Sequence, residues 1–230
     1  MPLYLVNTPT AEKFLTLANT GAGRRAMLGD ADAEKFKGMG QTITDAQEVL
    51  RKGVERAVAL VQDRTRTDVA KHAAAKQIAE STAKQLAFTR NQLAAKAEDL
   101  MQDGQAVADA FFEMRGERSA IDAQIMNWVK EQAATDGGVA QIRKTAMDEP
   151  QLAAVLYNAP NFLLGINEKS HSKLRLDVVE KHAPSAYKAM DQGVELQGLL
   201  PRYDKAIAGI HSSFYNPTIA DQAASHVEVA

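Results

Sequence analysis

The spacing of proline constrains this chain more than any other feature. Proline stands at positions 2 and 9, and residues 10–149 contain none. Within that stretch, residues 54–103 contain no glycine either. Proline and glycine are the residues that most often interrupt helices, because proline lacks an N–H and glycine is costly to order. The stretch therefore predicts long α-helices.

The composition favours the same fold. The chain has 40 alanines among its 230 residues and only 13 aromatic side chains. Alanine is the best helix former, but it buries little apolar area. We therefore expect an all-α protein with long helices in close contact, arranged as a hairpin or bundle. Helix should exceed roughly 65% of residues, about twice the usual share.

Charge and cysteine content exclude several classes of site. The 27 basic and 29 acidic residues are spread along the chain and leave a net charge of −2. The chain has no basic stripe of the kind that nucleic-acid-binding proteins carry. It also has no apolar run close to the ~20 residues that span a bilayer. The N-terminus lacks a signal-peptide pattern, and the absence of cysteine excludes disulfides and thiolate chemistry. We expect synthesis in a cytoplasm, with no membrane, small-molecule substrate or cofactor.

Breaks in the pattern divide the chain into four segments. Residues 1–40 read as an irregular N-terminal arm, 41–138 as a long-helix body, 139–215 as a C-terminal helical cluster and 216–230 as a tail. Five glycines interrupt the arm, although a short helix over 10–19 is permitted. Its strand-like apolar run comprises Leu3, Tyr4, Leu5 and Val6. We expect the arm to pack on the helical body or, preferably, on an adjacent copy of the chain.

The main helix is expected to begin at Thr44 or Asp45, either of which is a good N-cap. The seven polar residues 62–68 then break the apolar stripe. The favoured interpretation is a solvated turn of a continuing helix, and the alternative is a bend or hairpin corner.

A heptad pattern follows. Apolar residues recur every seven positions at Leu86, Leu93, Leu100, Val107, Met114, Ile121 and Trp128, and Phe111 lies on the same seam. Seven-residue spacing keeps such a stripe on one side of a helix, as helix-to-helix packing requires. Arg90 and Arg118 occupy the other core position of the heptad, which favours an antiparallel hairpin or bundle over a parallel dimer. Whether the partner helix is in the same chain stays open.

After Gly137-Gly138 the helices shorten. Proline and capping residues predict helices over about 139–147, 149–158, 168–182, 185–198 and 202–213.

No catalytic or metal-binding pattern emerges. The histidines at 72, 171, 182, 211 and 226 have no partner at a metal-ligand spacing and read as surface or capping residues. Residues 21–26 match the GxGxxA loop of dinucleotide sites, but no strand precedes or follows them. We interpret them as a flexible corner with two arginines. Asp148-Glu149 reads as acidic complement to a helix dipole.

Residues 148–171 carry a family resemblance. Leu152, Val155 and Leu156 form an apolar helix face, and the run Ala159–Ile166 has the pattern A-P-x-F-L-x-G-I. A helix capped by Asn167, with His171 at its fourth position, comes next. This combination resembles a pattern in small uncharacterised proteins of tailed bacteriophages and prophages. Physically, we expect Phe162, Leu163 and Ile166 to fill the corner between the two helices.

The resemblance implies a non-enzymatic structural component of a tailed phage particle, located in the virion and present as several identical copies. A head–tail connector or tail position is favoured, with a scaffolding or internal protein next. Its partners would be further copies and other virion or assembly proteins. The alternative is a bacterial cytoplasmic helical adaptor that binds a partner through the coiled-coil seam.

Overall fold

The computed structural model describes residues 4–113 and 119–225, without the side chains of Lys37, Ala224 and Ser225. It is 85% helical, and the described residues contain no strand. The predictions of an all-α fold and of helix above 65% are confirmed. No helix among these residues is long and apolar enough to cross a membrane.

Two compact units make up the chain. Unit 1 combines residues 1–97 with 195–230, and unit 2 comprises residues 98–194. The segment boundaries expected from the sequence, at 40, 138 and 215, do not coincide with this division. Residues from both ends of the chain belong to one unit because late helices return to pack on early ones.

Unit 1 is built from helices of both chain ends. Its elements are α1 (Pro9–Asn19), α2 (Gly21–Leu28), a 3-10 helix (Glu34–Met39), α3 (Gly40–Gln62), the first part of α4 (Asp68–Phe111), and later α11 (Leu200–Phe214), α12 (Pro217–Asp221) and a second 3-10 helix (Gln222–Ser225). Helix α1 packs on α2, α3 and α11, and α2 packs on α3 and α11.

The arm contains the short helix permitted at 10–19, which is α1, but the expectation of an irregular arm is wrong for residues 21–28, which form α2. Thr8 caps α1 by accepting a hydrogen bond from the Ala11 N–H, and Leu15 is buried against the body of unit 1. The Phe14 ring lies so close to Gly209 of α11 that a Cβ there would come within 2.3 Å of it. This part of the arm therefore packs on its own chain rather than requiring an adjacent copy.

Glycine did not prevent the second helix of the arm. Gly21 opens α2, where Thr20 acts as the N-cap, and Gly23 is buried. A Cβ on Gly23 would lie 2.0 Å from the Leu17 carbonyl oxygen, so the close turn between α1 and α2 requires a residue without a side chain. The interpretation of residues 21–26 as a flexible corner is wrong.

The strand-like run at the start of the arm forms bends instead. Tyr4, Leu5 and Val6 are half-buried, and the Tyr4 hydroxyl lies 3.5 Å from Thr16 Oγ1. Leu3 lies outside the described residues.

Loss of the N-cap of α2 tests whether this part of the arm forms an ordered helix. The Thr20 hydroxyl accepts from the Gly23 N–H at 3.0 Å. Thr20→Ala should lower the free energy of unfolding by about 1 kcal/mol, the usual cost of losing an N-cap. Thr10→Ala, at an exposed position of α1, is the matched control and should cost nothing measurable in urea unfolding. Equal effects of the two variants would contradict an ordered α2.

The helix does not continue through residues 62–68, so the favoured interpretation of that stretch is wrong and the corner is found instead. Helix α3 ends at Gln62, and α4 begins at Asp68. Asp63 Oδ1 accepts from the N–H and hydroxyl of Thr65, at 2.8 and 2.6 Å, which offers the backbone an alternative to the helical ladder. Thr67 then caps α4 by accepting from the Ala70 N–H. At its other end α3 begins at Gly40, earlier than the predicted Thr44.

Unit 2 contains the short helices predicted from proline and caps. They are α5 (Ser119–Ala133), α6 (Gly138–Asp148), α7 (Pro150–Asn158), α8 (Asn161–Leu164) and α9 (Glu168–His182), together with the end of α4 and most of α10 (Pro184–Gln197). Helix α9 has the predicted bounds, and α6, α7, α10 and α11 agree within two residues. The core lies where α7 packs on α9, α6 and α5.

Candidate interaction surface

The structure divides the predicted heptad seam into a buried and an exposed part. Leu86 and Leu93 are fully buried, and Leu100 is half-buried. Val107 and Phe111 follow on the same helix but are 48% and 52% exposed. Ile121 and Trp128 lie on the separate helix α5, exposed and half-buried respectively, and Met114 lies outside the described residues.

The helix period explains why the seam leaves the core. An α-helix repeats every 3.6 residues, so a seven-residue pattern drifts by about 20° per heptad on a helix that is not supercoiled. The buried positions of α4 follow the 3.6 period: His72 and Ala108 are both buried and stand about ten turns apart. Beyond Leu93 the buried positions become Ala97, Gly104 and Ala108 rather than Leu100 and Val107. The outer heptad residues are thereby left on the surface.

Directly after α4 ends at Phe111, the chain turns into the core of unit 2. Phe112 is buried and stacks on the Tyr157 ring at a centroid distance of 4.6 Å. Asn158 Nδ2 donates to the Phe112 carbonyl at 2.7 Å. The Tyr157 hydroxyl donates to Asp109 Oδ1 at 2.6 Å, and the Arg175 guanidinium lies over the ring.

This tyrosine cluster was not predicted from the sequence. Gln105 Nε2 also donates to the Tyr157 oxygen, so the phenol is held by two groups one turn apart on α4. Burial raises the pKa of Tyr157, and its hydroxyl therefore stays protonated and is no nucleophile at neutral pH. The i,i+4 pair Gln105 and Asp109 is visible in the sequence, but nothing local marks Tyr157 as its partner. The cluster anchors α4 to α7.

Two residues of the predicted seam, Ile121 and Trp128, line an apolar groove in unit 2. Ile121, Ile125 and Trp128 stand on one face of α5 at spacings of four and three, and Leu152 of α7 forms the opposite wall. The groove has a volume of about 310 Å³, and its other lining residues are Gln124, Thr145, Glu149 and Gln151. Ile121 at its edge is 46% exposed. The groove is thus an apolar helix face that no described residue of unit 2 covers.

The motif of residues 159–166 forms a second exposed apolar feature. Ile166 and Leu164 are buried, and Gly165 has a φ of 66°, the left-handed geometry expected of a glycine at this corner. Phe162 is 73% exposed and Leu163 47% exposed, so the expectation that they fill the corner is wrong. Helix α8 has only four residues, and Leu164 is the one that points into the core.

The histidines of α9 act as capping residues. His171 Nε2 lies 3.0 Å from the Leu156 carbonyl oxygen, and His182 Nε2 lies 2.7 Å from that of Ala146. Because a carbonyl oxygen can only accept, both ring nitrogens must donate. The normal helical donors to these carbonyls would come from residues 160 and 150, which are both proline. The two histidines supply the N–H groups that the prolines lack.

Replacing His171 should therefore affect stability rather than metal binding. His171→Leu leaves the Leu156 carbonyl without a donor and should cost about 1–3 kcal/mol. His171→Gln retains a donor amide and should cost less, as should Gln at 182 or 211. Added zinc or chelator should leave thermal unfolding unchanged, since no group of metal-ligating side chains forms among the described residues. Stoichiometric metal in elemental analysis would overturn this interpretation.

A second groove, of about 320 Å³, lies between α3 and α4 in unit 1 and is polar. Glu48 on its wall is hydrogen-bonded by Arg51, which lowers the pKa of Glu48 to about 2, and Lys52 Nζ lies 3.5 Å from the same carboxylate. Its charges are of both signs and largely compensated on α3 itself. It does not present the one-sided chemistry of a ligand site.

Comparison with known proteins adds no assignment: no protein-family model, curated protein or solved structure matches the chain.

Proposed function

We propose that this chain is a non-enzymatic structural component of a tailed phage particle that assembles as multiple identical copies. A place near the head–tail connector or tail is favoured, with a scaffolding or internal protein next. The virion would be its location, after synthesis in the bacterial cytoplasm. The resemblance of residues 148–171 supports the phage assignment, and the apolar groove on α5 supports the contact-making role.

The groove is the observation that carries the proposal. Trp128 is half-buried and shares its helix face with Ile121 and Ile125. When a partner covers such a tryptophan, it typically becomes one of the anchor residues that dominate the binding energy of an interface. Apolar area that stays open to water forgoes about 25 cal/mol for each Å² that could be buried. A partner helix or corner is therefore favoured at this position.

We infer that this partner is a second copy of the chain, because unit 2 also carries an exposed apolar feature that could enter the groove. Phe162 and Leu163 project from α8 as an apolar pair, a suitable size for a groove of about 310 Å³. When two different surfaces of one subunit fit each other, the contact repeats from copy to copy and closes into a ring or extends as a filament.

Sedimentation and electron microscopy of the purified protein test this proposal. Closed rings or regular arrays support it. The second candidate, a bacterial helical adaptor, uses the same open groove to bind a partner's amphipathic helix. It predicts a lone monomer or dimer that forms no larger assembly.

A further inference from the structure

The C-terminal helix α12 is attached to α4 by two contacts one turn apart. The Asn216 N–H donates to His72 Nδ1 at 2.9 Å, and Lys76 Nζ lies 2.8 Å from Asp221 Oδ1. Ala220 is buried between these points. With five residues, α12 is far too short to be stable in isolation. These attachments therefore help to hold it in place.

The His72 contact defines the protonation state of the ring. A backbone N–H can only donate, so His72 Nδ1 must carry a free lone pair and the ring must be neutral, with its proton on Nε2. A second proton would go to Nδ1. It would remove the acceptor and leave two donors facing each other in a place where His72 is almost fully buried.

The surroundings of His72 affect its protonation in opposite directions. Asp68, one turn earlier on α4, attracts a proton towards the ring, and Lys76, one turn later, is engaged by Asp221 and lies near Tyr215. Burial is the larger effect and lowers the pKa of His72 despite Asp68. A histidine whose pKa is lower in the folded than in the unfolded state makes its full contribution to stability at pH values above the unfolded pKa of about 6.5. That stability is lost as the pH falls through the lowered value.

We propose that residues 216–221 form an acid-released latch on α4, held while the His72 imidazole is neutral and released when Nδ1 takes a proton. Release needs no unfolding of the rest of unit 1, because α12 contributes only Ala220 to the buried residues. The latch makes the accessibility of the C-terminal segment, and of the α4 face beneath it, dependent on pH.

Hydrogen exchange of the full chain at pH 7.5 and pH 5 tests the latch. After correction for intrinsic exchange rates, the protection that Asn216 and residues 218–221 show at pH 7.5 should be lost at pH 5, because a proton on His72 Nδ1 removes the acceptor of the Asn216 N–H. The key variant is His72→Asn, whose Oδ1 can accept from the Asn216 N–H but does not titrate. Its protection should be the same at both pH values. His171→Gln, which removes a buried histidine of unit 2, should keep the pH response.

Protection of residues 216–221 that does not change with pH would overturn the latch, and so would a change that persists in His72→Asn. An NMR titration of the unmodified chain covers the case in which the variant fails to fold. The Asn216 amide resonance should shift with the same midpoint as the His72 ring, and separate midpoints would also overturn the proposal.

Discussion

Replacing Leu93 with Asp is expected to cost about 5 kcal/mol of unfolding free energy, whereas the same change at Val107 should cost less than about 0.5 kcal/mol. The two residues occupy the same position of the heptad, two repeats apart, and a sequence pattern alone treats them alike. Leu93 is fully buried, so its replacement loses core packing and places a carboxylate where it has no partner. The Val107 side chain already meets water.

Urea unfolding measures both effects if the two units are followed separately. Trp128 is the chain's one tryptophan and belongs to unit 2, so its fluorescence reports that unit, while circular dichroism reports helix in both. Leu93→Asp should move the dichroism transition strongly, and Val107→Asp should leave both signals in place. Similar losses in the two variants would mean that the heptad, rather than the 3.6-residue period, describes the packing of α4.

Phe162→Asp is expected to dissociate the proposed assembly without unfolding the chain. An anchor residue of an interface typically contributes 2 kcal/mol or more, so association should weaken by about 30-fold or more. Because Phe162 is largely exposed in the single chain, its replacement should not change the helix content. Sedimentation velocity and circular dichroism, recorded on the same sample, separate the two effects.

Phe88→Asp is the matched control for this experiment. Phe88 is also a strongly exposed phenylalanine, but it belongs to the part of α4 in unit 1 and does not line the groove. Its replacement should leave the mass of the assembly unchanged. Ile121→Asp, on the groove side of the proposed contact, should act like Phe162→Asp. An assembly that tolerates both changes does not use this contact.

The sequence predicted the helices of unit 2 well because their ends are marked by local chemistry. Pro150 begins α7, Asn167 caps α9 through the Ser170 N–H, and Gly165 takes the left-handed turn between them. Each of these signals acts over a few residues, so a single sequence contains all that is needed. The capping role of His171 and His182 also follows from the prolines at 160 and 150, once the two are considered together.

Burial was less predictable because it depends on residues far apart in the chain. The glycines of the arm predict an irregular segment, yet Gly23 lies where α1 and α2 approach too closely for a side chain, as does Gly209 of α11 beside Phe14 of α1. The heptad pattern predicts one continuous apolar stripe from Leu86 onward. In the structure, the heptad residues after Leu93 are no longer fully buried, and those after Phe111 belong to a different helix. The groove and the exposed Phe162 appear only when α5, α7 and α8 are placed together.

The most direct test of the proposed role is the mass and symmetry of the purified chain. Sedimentation velocity followed by negative-stain electron microscopy should show a discrete species of many copies, in rings of defined symmetry or in a regular array. A monomer or dimer that persists at high protein concentration, with no ordered particles on the grid, would contradict the account.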